Sequence, residues 1–146
     1  MSNSSAIVSA IADRLEIEDL LTRYCRAIDS LDWELLDTVF VAEAFIDYTS
    51  SGGVKGVYPE VRAWLAQVLP GFPVRQHLVT NLQIRIDGDR ATSRAYFYNP
   101  MGRPQPDGSV KLFFVGGDYV DELVRTEAGW RIAQRIEQQL WVDVRA

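Results

Sequence analysis

The sequence predicts an α+β fold in which helices pack on one face of a curved, mostly antiparallel sheet. Three observations carry this. The first 70 residues hold apolar positions spaced by three and four, the pattern of amphipathic helices. After residue 73 the apolar period changes to two, as in strands. Helical segments followed by consecutive strand-like runs argue for segregated elements and against alternating βαβ units.

Taken in order, residues 6–29 read as a long helix, with Ile7, Ile11, Leu15, Ile17, Leu20, Leu21, Tyr24 and Ile28 recurring at helical spacing and Ser4 or Ser5 able to cap its start. Ser30-Leu31-Asp32 breaks it, and Asp32 can cap a second short helix, Trp33 to Phe40. Residues 44–49 alternate as a strand, and Ser50 to Gly53 form a turn. Pro59 opens a third helix with Val61, Trp64, Leu65 and Val68 on one face, closed by Pro70-Gly71. Four long strands follow, near 75–87, 90–99, 110–125 and 130–143. Asp87-Gly88-Asp89 and Glu127-Ala128-Gly129 supply tight turns, and Gly102 to Gly108 supply a longer proline-bearing loop. Gly116-Gly117, inside a strand, marks a bulge or a sharp bend.

Composition narrows the function classes. The chain has 146 residues, enough for one domain with a real core, and 47% hydrophobic and 24% charged residues place it among ordinary globular proteins. A net charge of −5 without a Lys/Arg cluster disfavours nucleic-acid and anionic-membrane partners. No apolar run approaches the ~20 residues that span a bilayer, and Met1 to Ser5 lack the basic and apolar character of a signal peptide, so a cytoplasmic location is expected. The lone Cys25 excludes an internal disulfide and multi-cysteine metal sites, and it reads as a small buried residue. One histidine without cysteine or histidine companions makes metal binding unexpected. Gly52-Gly53 and Gly116-Gly117 lack the strand–loop–helix setting of a phosphate cradle.

That histidine, His77, is the natural candidate for proton chemistry, because only histidine titrates near neutrality without help. Its candidate partner is Asp29. On the helical wheel Ile17, Tyr24 and Ile28 lie within about 60° of Leu21, while Cys25 and Asp29 occupy the other shoulder. Asp29 also sits at a helix C-terminus, where the macrodipole disfavours an anion by ~0.3–1 kcal/mol. Either a solvated loop-capping aspartate or a half-buried carboxylate in need of a donor fits that position. Strand alternation places His77 and Asn81 on one face, away from Leu82, Ile84 and Ile86; that face is either solvent-exposed or the lining of a cavity. The apolar Leu82/Ile84/Ile86 stripe would then suit a dimer interface. Tyr24 and Tyr48 are possible proton donors, Tyr96 and Tyr98 share a strand face, and Trp141 could wall a cavity.

Four separated segments, Asp29-Ser30-Leu31-Asp32-Trp33, Ile46-Asp47-Tyr48, Gln76-His77-Leu78 and Gly129-Trp130-Arg131-Ile132-Ala133, resemble in order and spacing scytalone dehydratase and the SnoaL-like polyketide cyclases of the nuclear-transport-factor-2-like superfamily. The resemblance covers residues 10–142. It implies a cone-shaped sheet wrapped on three helices around one deep apolar pocket. It implies a catalytic pair formed by Asp29 and His77, with Tyr48 on the carbonyl side of the substrate. The dehydrochlorinase and bile-acid dehydratase branches share the Asp–His pair and place a functional residue five before the Asp, here Tyr24. Two departures are visible: Ile28 stands where scytalone dehydratase has a tyrosine, and its second histidine is absent, so scytalone is not the expected substrate.

The expectation is a cofactor-independent lyase or isomerase that dehydrates, isomerises or cyclises a small hydrophobic oxygenated ring compound. Asp29, His77, Tyr24 and Tyr48 would be catalytic, and Asn81, Tyr96, Tyr98 and Trp141 would bind substrate. A homo-oligomer, dimer or trimer, is expected. Two other readings fit the same fold. One is a non-catalytic ligand carrier, dimerisation module or dioxygenase small subunit, which would have no use for an oriented imidazole. The other is an epoxide hydrolase, which would need paired carboxylates around an arginine, with Asp47 and Arg135 as contributors.

Overall fold

The computed structural model describes residues 3–144. Its helices are α1 (Asn3–Ser30), α2 (Trp33–Asp37) and α3 (Tyr58–Val68), and its strands are β1 (Phe40–Asp47), β2 (Lys55–Val57), β3 (Val74–Arg75), β4 (Leu78–Asp87), β5 (Arg90–Pro104), β6 (Val110–Thr126) and β7 (Gly129–Val144). The strands form one sheet in the order β2-β1-β7-β6-β5-β3, with β4 also paired to β5. Every pairing is antiparallel except β1 with β7, which is parallel. The helices supply one wall of the core. Ile17, Leu20, Leu21, Tyr24 and Ile28 of α1, Leu36 of α2 and Val61 and Leu65 of α3 are buried against the sheet residues Ile46, Phe97, Tyr119, Leu123 and Ile132. Among the described residues no helix is long and apolar enough to cross a membrane.

The punctuation follows local chemistry. The Asp32 side chain accepts the Leu35 amide at 2.9 Å and caps α2. Pro59 stands in the first turn of α3. Asp87 pairs with Arg90 and Thr126 with Gly129, leaving two-residue turns in which Gly88 adopts φ 57°. Several boundaries differ from the sequence expectation. Ser4 and Ser5 lie inside α1, not at its cap. The second helix stops at Asp37, because the Val39 carbonyl accepts the Ile132 amide and the chain joins the sheet from Phe40 onward. β5 runs through Pro100 and Gly102 to Pro104, so the loop shrinks to residues 105–109; Pro100 donates no bond, but its carbonyl accepts the Gln76 amide. In the first half of α1, Ile7, Val8, Ile11 and Leu15 are exposed, so that part of the apolar stripe does not reach the core.

Three bulges set which side chains face the helices. In β4 the register shifts between Thr80 and Gln83, where Asn81 takes a left-handed φ of 54°. In β7 the pairing with β6 shifts twice, once past Ala133 and once past Leu140, the second opposite Gly116-Gly117 as the paired glycines suggest. Each extra residue inverts the alternation beyond it. His77 and Val79 therefore face the same side as Leu82, Ile84 and Ile86, and those apolar residues pack on the core. The expected outer dimer stripe is thus an inner one. The close approach at the second β7 bulge requires glycine: a Cβ on Gly117 would collide with the Gln138 backbone carbonyl. Replacing Gly117 by alanine is expected to destabilise the fold by about 1–3 kcal/mol through overpacking. A urea midpoint equal to wild type would refute this.

Candidate active site

Asp29 occupies the last turn of α1, and its carboxylate points across to the start of β4. Its Oδ2 accepts the His77 backbone amide at 2.9 Å, and its Oδ1 lies 2.6 Å from His77 Nδ1. The two side chains are 22% and 6% exposed, so the pair is largely withdrawn from water. The unfavourable placement of an anion at a helix C-terminus is offset by a tertiary device. Arg75 of β3 donates to the Asp29 carbonyl at 3.2 Å, and its other donors hold the Phe72 and Leu69 carbonyls, which puts a cation at the end of α1.

His77 looks into a cavity of about 480 Å³ between α1, α3 and the sheet, lined by apolar side chains such as Leu65, Phe97 and Phe113. That volume falls in the usual range for small-molecule sites. Tyr24, one turn before Asp29, packs edge-on to the His77 ring with centroids 6.3 Å apart. Its hydroxyl pairs with that of Tyr48 at 2.8 Å. Of the two hydroxyl hydrogens one serves this pair, leaving the other free to meet a ligand oxygen. Burial holds both phenols well above their ordinary pKa range, so they act as neutral donors. Burial likewise pushes the Cys25 thiol up to about 11, consistent with an inert core residue.

Beneath the tyrosines lies a wholly buried ion pair. Arg135 Nε and Nη2 donate to the two oxygens of Asp121 at 2.8 and 2.7 Å. The guanidinium also lies 4.1 Å from the ring centroids of both Tyr24 and Tyr119. It therefore fixes the floor on which Tyr24 meets His77. Asp47 does not join it: that carboxylate accepts the Thr49 amide and hydroxyl. The carboxylate–arginine–carboxylate arrangement wanted by the epoxide-hydrolase reading is therefore not assembled from Asp47 and Arg135.

The structure brings together Asp29, His77, Tyr24 and Tyr48, and it separates the four residues expected to contact substrate. Asn81 is exposed at its bulge, while Tyr96, Tyr98 and Trp141 are 54%, 40% and 46% exposed on the outer face, where Tyr98 and Trp141 stand 6.0 Å apart. None of the four lines the cavity. Simple alternation failed here because the bulges past Thr80 and Leu140 reverse the direction of Asn81 and Trp141. Two lining residues were missed. Glu137 faces inward only because of the bulge past Ala133. Asn99 stands beside His77 across β4 and β5, one residue from the Leu78–Tyr98 pair. The missed signal was a polar residue at an inward position of a long strand. Among the described residues no group of three or more His, Cys, Asp or Glu is placed to hold a metal.

The profile of the SnoaL-like domain family matches residues 9–136. The chain belongs to this SnoaL-like family. An uncharacterised protein of Mycobacterium tuberculosis is 44% identical over 140 residues, 94% of this chain and 92% of that protein. Among solved structures, the Kfla4162 protein of Kribbella flavida superposes with a TM-score of 0.83 at 28% identity, covering 92% of this chain and 95% of the other. The hexachlorocyclohexane dehydrochlorinase LinA-type3 of Novosphingobium barchaimii shares the fold at a TM-score of 0.78 and 18% identity, over 95% and 94% of the two chains. These neighbours agree with the α+β fold of three helices on a curved, open, mostly antiparallel sheet.

Proposed function

We propose that this SnoaL-like protein is a cofactor-independent lyase or isomerase that abstracts a proton next to the carbonyl of a hydrophobic, oxygenated ring compound. The observation that carries this is the 2.6 Å contact between Asp29 and His77 at the wall of a largely apolar cavity. A carrier has no need of an oriented imidazole. The dehydrochlorinase that shares the fold is by its name an elimination enzyme, which supports an outcome that begins with proton removal.

In this mechanism Asp29 accepts the Nδ1–H of His77, fixes the tautomer and leaves Nε2 as the base. Nε2 takes the proton α to the carbonyl. The developing enolate oxygen receives a hydrogen bond from the Tyr24–Tyr48 hydroxyl pair, in a site whose apolar lining strengthens the contact. Loss of water, double-bond migration and ring closure all start from this step.

The test is deuterium uptake at Cα of cyclic β-hydroxyketones, followed by proton NMR in deuterium oxide. Wild type is expected to catalyse exchange, and Asp29→Asn to lose about 10²–10⁴-fold of it, the usual worth of a well-positioned proton transfer. Exchange by a folded Asp29→Asn variant at the wild-type rate would remove the orienting role. Absence of exchange by wild type across the series would remove the base.

A further inference from the structure

An elimination that expels hydroxide is assisted by an acid as well as a base, and the buried phenols of Tyr24, Tyr48 and Tyr119 are too weak to give up protons readily. One carboxyl lines the same cavity and has no place in the mechanism so far. Glu137 on β7 is the cross-strand partner of Tyr119 on β6. Its Oε1 is sealed from solvent and has no hydrogen-bond partner. As a carboxylate, such an oxygen would be a desolvated, unpaired charge; as a carboxylic acid it carries a proton and needs only an acceptor. Tyr24 is in ring contact with both His77 and Tyr119, and Tyr119 is the cross-strand partner of Glu137.

We propose that Glu137 is the general acid that protonates the hydroxyl leaving from the β-carbon of the substrate. This inference rests on the base reading above. His77 Nε2 removes the α-proton, and the C–H electron pair becomes the enolate. Collapse of the enolate re-forms the carbonyl, makes the Cα–Cβ double bond and breaks the Cβ–O bond. The departing oxygen keeps that electron pair, takes the Glu137 proton and leaves as water. The proton held on His77 then returns to Glu137 through water, so only substrate is consumed. The site is thereby assigned to β-hydroxycarbonyl rings.

The surroundings of Glu137 favour the acid form. Burial is the largest influence and raises its pKa. The Ser51 hydroxyl and the Arg135 guanidinium oppose this, Asp47 on β1 adds to it, and the net direction is upward. Tyr24 on α1, Tyr48 after β1 and Tyr119 on β6 face it as neutral phenols. Arg135 gives Nε and Nη2 to Asp121, and its Nη1 is buried without a hydrogen-bond partner.

The experiment uses Glu137→Gln, with 3-hydroxycyclohexanone as the probe and two readouts. Deuterium uptake at Cα reports the base, and formation of cyclohexenone reports the acid. Water release is expected to fall about 10²–10⁴-fold while Cα exchange survives. Infrared difference spectra of wild type against E137Q are expected to show a protonated carboxylic acid at neutral pH. Water release by E137Q at the wild-type rate, or no protonated-acid band in wild type, overturns the assignment. If wild type exchanges no deuterium, the base reading fails, and the infrared band alone then decides whether Glu137 is stored as an acid. Should E137Q not fold, Glu137→Asp replaces it: water release below wild type with exchange intact supports the proposal, and equal loss of both overturns it.

Discussion

Replacing His77 by asparagine is expected to lower turnover about 10²–10⁴-fold while the protein stays folded. The chain contains no second histidine to take over the proton. The asparagine keeps a polar side chain beside Asp29, and the backbone bond from residue 77 to Asp29 Oδ2 does not depend on the imidazole. The junction between α1 and β4 should therefore persist, and near-ultraviolet circular dichroism should match wild type. The measurement is Cα deuterium exchange on a cyclic β-hydroxyketone. A folded H77N variant with wild-type exchange would end the mechanism.

The second large effect falls on stability. Replacing Asp121 by alanine should cost about 3–5 kcal/mol, because it strands the Arg135 guanidinium in the core without its counter-ion. Both partners are withdrawn from solvent, at 0% and 1% exposure, and the guanidinium is packed against the rings of Tyr24 and Tyr119. Removing both charges in an Asp121→Ala, Arg135→Met double variant should recover most of the loss, since the desolvation cost of both ions disappears with them. Urea unfolding of the two single variants and the double one measures this. An Asp121→Ala protein within about 1 kcal/mol of wild type would contradict it. The ion pair also supports the Tyr24 ring that meets His77, so Asp121→Ala is expected to slow proton exchange even below its melting transition.

The candidate site was readable from the chain where chemistry is local. Asp29 declared itself as an acid on the shoulder of an apolar helix face, and His77 as a lone imidazole in a strand-like run. Glycine and proline placed the turns at Gly88 and Gly129 and the start of α3. The short strands β2 and β3, of three and two residues, carry too few positions to show a period. What the sequence concealed was direction. Asn81 read as sharing the His77 face because a bulge adds a residue without a compositional mark, and the same rule misplaced Leu82, Ile84 and Ile86 on the opposite face. Glu137 was hidden by the same geometry. The Arg75 clamp on the end of α1 depends on the 3₁₀ turn before β3, a contact between segments 46 residues apart that no local pattern announces.

The bulges of β7 also bear on how such a cavity can diversify. Flattening the bulge, so that Leu140 itself pairs with Gly116, would restore plain alternation past Gln139. Trp141 and Asp143 would then take the inward places held by Val142 and Val144, which line the cavity. A one-residue slip in register thus exchanges several wall residues together. Descendants of this scaffold can change ligand shape through register slips in the last strand, with the Asp29–His77 pair, anchored on a different edge of the molecule, inherited intact.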